Sequence, residues 1–553
     1  MSSTHEVFNQ STPFEGANLF RINRPLRDAL RALAPALDTA ALDAAGAEMG
    51  SAAMQRHARL ANTYGPVLQA YDRFGHRVDQ VEFHPSYHAL MASALRQGLH
   101  GTPWSGPPLA HVERAAAFML FTEAEPSVLC PVSMTYAVTP ALRANAALQA
   151  VWGPLVAARE YDERFVPYTH KRGVTMGMGM TEKQGGSDVR ANTSVAEADG
   201  EDAWGRRFAI TGHKWFLSAP MCDAFLVLAR SPGGLSCFLV PRLLADGRVN
   251  AIAVQRLKDK LGNRANASSE VEFERAAGWL VGEEGRGVPQ ILAMGALTRL
   301  DCALGTSGLM RAALSLALHH TAARHAFGKP LVAQPLMKNV LADLALESEA
   351  ATALALRVAL AVDRTEHGGG AHEQVMRRVL TPVAKFWICK RGSHFAQEAM
   401  ECLGGNGYVE EGGAGVMARI YREMPVNSIW EGSGNIMALD LPRALRGSGA
   451  AAALEHELAP ARGAHPALDR ALARLLHELD AGVPEAQARR LVRELALVMQ
   501  AALLQRQAPA FVFEAFCSAR LEARADVFGL LGEGADLDRL IERALPLEHE
   551  VHA

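Results

Sequence analysis

Met424–Leu439, MPVNSIWEGSGNIMAL, is the stretch from which the rest of the chain can be read. Its one carboxylate, Glu431, sits between Trp430 and Gly432. Ile429, Ile436 and Met437 supply apolar neighbours, and Ser433 and Asn435 supply polar handles. Burial raises the pKa of a carboxyl group because it disfavours the charged form. A poised, partly desolvated Glu is what abstraction of a carbon-bound proton needs. Gly432 and Gly434 have no Cβ, so a flat ligand could approach the backbone closely. Taken alone, so short a match is more simply a surface Glu in a Gly-rich turn after a helix. Its surroundings decide between the two.

From 285 to 447, a span that this stretch closes, apolar residues recur at helical period in long segments joined by short Gly or Pro loops, which predicts an antiparallel helical bundle. Gly404-Gly405 is a plausible helix stop there. Before it, from 173 to 284, RFAITGHKWFLSAP, AFLVLARS, LSCFLVPRL, NAIAVQRL and SSEVEFERA are short and rich in β-branched or aromatic residues. Turn residues separate them, so a small antiparallel β domain is expected. GMGMTEKQGGSDVRANT, residues 177–193, leads into it. Its backbone N–H groups could bond a ring edge or a phosphate. It is neither GxGxxG between strand and helix nor GxxxxGK[ST], so a Rossmann fold or a P-loop is not supported. Residues 1–172 alternate helical runs with Pro-containing joins, LRDALRALAPALDTAALDAAGAEMG giving two Ala-rich helices broken at Pro35. A Gly/Ala-rich join opens a last helical domain, 448–553. The fold class is therefore mainly α with a small β domain.

Composition narrows the function. At 553 residues the chain is too long for one core. A formal net charge of −3 gives no whole-molecule field favouring nucleic acid or anionic membrane. No apolar run of about 18 residues suggests a membrane helix, and MSSTHEVFNQ carries no secretory pattern. Seven cysteines without a CxxC pair read as reduced core thiols, which points to the cytoplasm. Histidines are plentiful, but HExxH is absent and no metal site is expected.

Several separated motifs now converge. Thr181-Glu182 with Gly186-Ser187-Asp188, Gly212–Ser218 (GHKWFLS), Lys260–Arg264 (KLGNR), Arg324–Gly328 (RHAFG), Leu403–Gly407 (LGGNG) and Trp430–Ser433 stand in the order seen in acyl-CoA dehydrogenase flavoproteins. The chain resembles that family, whose layout is a helical domain, a β-barrel-like middle domain and a helical bundle. MTEKQGGSDV, KDKLGNR, REMPVNSIWEGSGNIM and the early HEVFNQ are closest to its AidB-type branch, which carries an extra C-terminal helical domain.

The resemblance implies FAD as cofactor, with Glu431 as the base that removes the α-proton of a bound acyl-CoA thioester while the β-hydrogen leaves as hydride to the flavin. It further implies that Met178, Gly179, Met180, Thr181, Glu182, Lys183, Gln184, Gly185, Gly186 and Ser187 line the flavin ring, with Phe216, Leu217 and Ser218 covering its other side. Ile429, Trp430, Gly432, Ser433, Gly434 and Asn435 would run beside the cofactor. Arg324, Phe327, Gln334, Gly404 and Gly405 match positions that hold the ADP half of FAD, often across a subunit boundary, which implies a homotetramer. Read singly, these are also an Arg near a helix C-terminus, a core Phe and turn residues. Lys183 stands where common members have Pro. The branch is also associated with the response to DNA alkylation and with double-stranded DNA binding through the last domain. Arg443 and Arg524 match arginines that could touch DNA, although each could equally make a salt bridge, and the tail after 451 holds more acids than arginines.

Overall fold

A computed structural model describes residues 5–410, 415–447 and 449–544. Within the proposed last domain, Ser448 and residues 545–553 lie outside the described residues. The fold divides into two compact units: residues 56–110 with 125–301, and residues 1–55, 111–124 and 302–553.

The first unit is built on a sheet. A hairpin, β1 (Val67–Tyr71) and β2 (Arg77–Glu82), lies inside the segment read as helical. Its residues alternate between exposed and half-buried, so it lacks the apolar face by which a strand is recognised. The main sheet has seven strands: β3 (Met176–Gly179), β4 (Val195–Asp202), β5 (Gly205–Ser218), β6 (Ala224–Ser231), β7 (Gly234–Pro241), β8 (Ile252–Leu257) and β9 (Ser268–Leu280). The five segments read as strands correspond to β5 through β9. β4, VAEADGED, was not anticipated, because all but one of its residues are exposed and half are acidic. The order is β3-β6-β4-β5-β9-β7, and β7 pairs with β6 as well as β9, which closes a ring. Pairing is antiparallel except that β3, and one residue of β4, run parallel to β6. β6 is buried along most of its length, which explains its unbroken run AFLVLA. Phe208 and Phe238 meet at 5.0 Å in the core.

The second unit is helical. Its largest elements are the end of the helix Gly287–Ala323 and the helices Pro335–Glu366, Gly370–Glu401 and Ala488–Gln507. Leu341–Asp363 is buried without interruption, so its helix reads as apolar all round and needs neighbours on every side. Tail helices supply part of that cover. They are tied down by ion pairs: Glu457 with the buried Arg357 at 2.9 Å, Arg520 with the buried Asp343 and Glu347, and Arg543 with the buried Glu349 and the half-buried Asp28. All seven cysteines are buried free thiols. Among the described residues no helix is long and apolar enough to cross a membrane.

Candidate active site

In the sheet unit, β3 runs through Met178 and Gly179 into the 180–187 loop. Thr181 forms a β-bridge with Phe216, and the Trp215 N–H donates to the Thr181 carbonyl at 2.8 Å. Glu182 is fully buried. Its carboxylate accepts from Lys214 Nζ (2.7 Å), the N–H and hydroxyl of Thr193 (2.6 and 3.0 Å), the Ser194 N–H (3.2 Å) and Gln184 Nε2 (2.8 Å). Burial alone would raise its pKa; Lys214 and the surrounding donors reverse this and hold it well below the usual carboxylate range. Burial lowers the Lys214 ammonium, and Glu182 offsets part of that. The Glu182 side chain is thus committed inward as an anchor for the loop.

What the anchored loop presents outward is small or polar. Lys183, Gln184 and Ser187 are exposed, and Gly185 and Gly186 are half-buried. A Cβ on Gly186 would lie 2.4 Å from Thr181 Oγ1, so no larger residue fits without movement. The N–H groups of Gly186 and Ser187 have no acceptor among the described residues. Phe216 is 48% exposed, Leu217 is buried and Ser218 is half-buried. An exposed aromatic, a half-buried hydroxyl and open N–H groups fit a flat heteroaromatic ring that accepts hydrogen bonds.

In the helical unit, Glu431 lies in the turn between the helices Val416–Asn427 and Gly434–Leu445. Its backbone has φ +60°, followed by Gly432 at +109°. A non-glycine residue held left-handed stores strain, and such strain concentrates at functional sites. Side-chain contacts help hold the turn. The buried Lys385 ammonium donates to the Gly432 carbonyl at 2.5 Å, and Trp430 Nε1 donates to Asn427 Oδ1 at 3.1 Å. A Cβ on Gly434 would meet Lys390 Cε at 2.8 Å. Ser433 is the residue before the second helix, Ile429 is exposed, and Asn435 Oδ1 accepts from Arg489 at 3.0 Å. The structure therefore brings 429–435 together as one rigid turn around a half-buried carboxylate.

The RHAFG motif is a two-residue hairpin between β10 (His325–Ala326) and β11 (Lys329–Pro330). Phe327 at φ +52° and Gly328 at +81° give both central residues the positive φ such hairpins need. Phe327 is 97% exposed. Gln334 Nε2 donates to the Ala326 carbonyl at 2.9 Å. Gly404, at φ +60°, and Gly405 have nothing within 4 Å of a hypothetical Cβ, leaving backbone open to a ligand. Lys214, which braces the 180–187 loop, and Lys385, which braces the 429–435 turn, were not expected as site residues. Each lies beside an apolar run, KWFL and AKFWIC, within an element that carries other charges.

The tail arginines are largely engaged. Arg524 pairs with Glu494 (3.3 Å), Arg490 with Glu478 (2.6 Å) and Arg506 with Glu457 (3.2 Å). Arg443 is exposed in the last turn of its helix.

Comparison with known proteins agrees with this layout. Residues 9–163 match the family model of the adaptive response protein AidB N-terminal domain. Residues 177–276 and 285–446 match those of the acyl-CoA dehydrogenase middle and C-terminal domains. The chain belongs to the acyl-CoA dehydrogenase family, on its AidB branch. It is 46% identical to Escherichia coli AidB over 531 residues, covering 95% of this chain and 96% of that protein. It is 30% identical over 405 residues to acyl-CoA dehydrogenase family member 11 of Caenorhabditis elegans, covering 70% and 64%. Among solved structures, Bd2924 in its apo form superposes with a TM-score of 0.82 at 29% identity, covering 91% of this chain and all of that one. The C. elegans ACDH-11 complex with C11-CoA gives 0.80 at 24% identity, covering 100% and 95%, and supports the fold alone.

Proposed function

We propose that this protein is an FAD-dependent oxidoreductase acting on the CH–CH group of a short or branched acyl-CoA, with Glu431 as its base. The observation that carries this reading is the left-handed, braced turn at Glu431. The braced turn fixes the direction in which the Glu431 side chain leaves the backbone, which favours placing its carboxylate for a carbon-bound proton.

Bound FAD supplies the hydride acceptor. The chain's own groups do the remainder. The Glu431 carboxylate takes the α-proton of the thioester, and the backbone N–H of the same residue donates to the thioester carbonyl, where enolate charge develops. Residues 178–187 and 216–218 would hold the flavin ring; Arg324, Phe327, Gln334, Gly404 and Gly405 would hold its ADP half. Residues 429–430 and 432–435 would run along it. Phe327, Leu336 and Tyr408, exposed by 97%, 84% and 78%, favour cover by a second copy of the chain; that the assembly is a homotetramer is carried over from the likeness to the family.

We place its physiological role in the response to DNA alkylation through its likeness to the AidB branch. Duplex binding through the tail is the alternative role. The engaged tail arginines leave few cations free for phosphate, so catalysis is the reading we adopt. Anaerobic titration of the purified yellow protein with a panel of acyl-CoAs tests it: bleaching by at least one is expected, and bleaching by none would overturn it.

A further inference from the structure

The early motif HEVFNQ takes no part in the chemistry above, yet it lies across the elements that the proposed function assigns to the ADP half of FAD. Asn9 Nδ2 donates to the His325 carbonyl at 2.9 Å, and the His325 N–H donates to Asn9 Oδ1 at 2.7 Å. One side chain thus closes a two-bond clasp on the backbone at the base of the Phe327 hairpin. Arg324 Nη1 in turn donates to the Asn9 carbonyl at 2.7 Å, so the guanidinium is tethered to the same residue. Asn9 has φ +55°, a conformation Asn tolerates better than most side chains.

The next residue reaches the second element. Asn406 Nδ2, in LGGNG, donates to Gln10 Oε1 at 3.3 Å. Further along, the Ser11 hydroxyl meets His320 Nδ1 at 3.2 Å, and His319 Nε2 meets the Thr12 carbonyl at 2.8 Å. Phe14 packs against the His319 ring at 5.3 Å. Val7 and Phe8 are 83% and 76% exposed, so hydrophobic burial does not fix this segment; its polar contacts do.

We infer that residues 9–12 form a strap that pre-orders the dinucleotide half of the cofactor site, with Asn9 and Gln10 as positioning residues. This rests on the proposed FAD reading. The hairpin and LGGNG are separated by about eighty residues of sequence, and Asn9 and Gln10 touch one each. A tethered Arg324 loses less freedom on meeting a pyrophosphate than a free one, so the strap favours FAD over flavins that lack the adenylate.

The test uses the full chain, stripped of flavin, and measures the affinity of FAD and of FMN by flavin fluorescence. Asn9→Ala should weaken FAD roughly tenfold or more, about 1.4 kcal/mol per tenfold, and leave FMN unchanged. Gln10→Ala should do the same more weakly. Asn9→Asp keeps the acceptor for the His325 N–H and serves if the alanine variant misfolds; it should fall between. Equal loss of FAD and FMN, or no loss of either, would overturn the strap. A wild-type chain that binds no FAD would overturn the cofactor reading and the strap with it.

Discussion

Lys214 Nζ lies 2.7 Å from a carboxylate oxygen of Glu182, and neither side chain reaches solvent. Both belong to motifs, GHKWF and TEKQGGS, that flank the proposed flavin face. The pair therefore ties β5 to the loop that would hold the ring. Breaking one partner of a buried pair leaves the other charge uncompensated, at a cost of about 3–5 kcal/mol. Lys214→Met should lower the thermal midpoint and release flavin on gel filtration. Glu182→Gln keeps the shape but leaves the buried Lys214 charge without its partner, and should show both effects as well.

The same pair has an acid dependence. The Glu182 pKa in the folded protein is depressed, so its contribution is present above the ordinary carboxylate range and is lost as pH falls below it. Wild type should lose midpoint temperature below about pH 4, and Glu182→Gln should lose less over that window.

Glu123 predicts the opposite slope in the helical unit. Burial pushes its carboxyl up to about 8, with Arg311 opposing only in part. A raised carboxyl favours the folded state at low pH and loses that contribution as pH rises through about 8. Glu123→Gln should match wild type near pH 5 and exceed it in midpoint temperature at pH 9.

Gly186 carries a steric prediction. A Cβ there meets Thr181 Oγ1 at 2.4 Å, so Gly186→Ala should distort the loop and weaken FAD roughly tenfold, or about 1.4 kcal/mol. Adding Thr181→Ala removes the nearest contacts and should restore part of the affinity, read by flavin fluorescence.

Much of the fold was legible because its signals are local. β6 announces itself as an apolar run, and the helix break at Pro35 falls between the helices Arg24–Leu33 and Ala40–Gly50. What escaped was either polar or non-local. β4 and the 67–82 hairpin bury too little to show a pattern. Parallel pairing of β3 with β6 depends on partners about fifty residues apart, which periodicity cannot report. The motifs pointed to Glu431 and the 178–187 loop as the proposed site. Sequence could not reveal that Glu182 faces inward, that Lys385 braces Gly432, or that Asn9 clasps His325, because each is a contact between distant segments.

The most direct measurement is anaerobic stopped-flow reduction of bound flavin by an acyl-CoA, compared between wild type and Glu431→Gln. The variant keeps the size of the side chain and removes the base, a loss worth about 10²- to 10⁴-fold for general base catalysis. Flavin absorbance should bleach in wild type, while Glu431→Gln retains FAD and binds the thioester with reduction slowed by at least a hundredfold. Reduction at the wild-type rate in Glu431→Gln would contradict the assignment of Glu431 as the base.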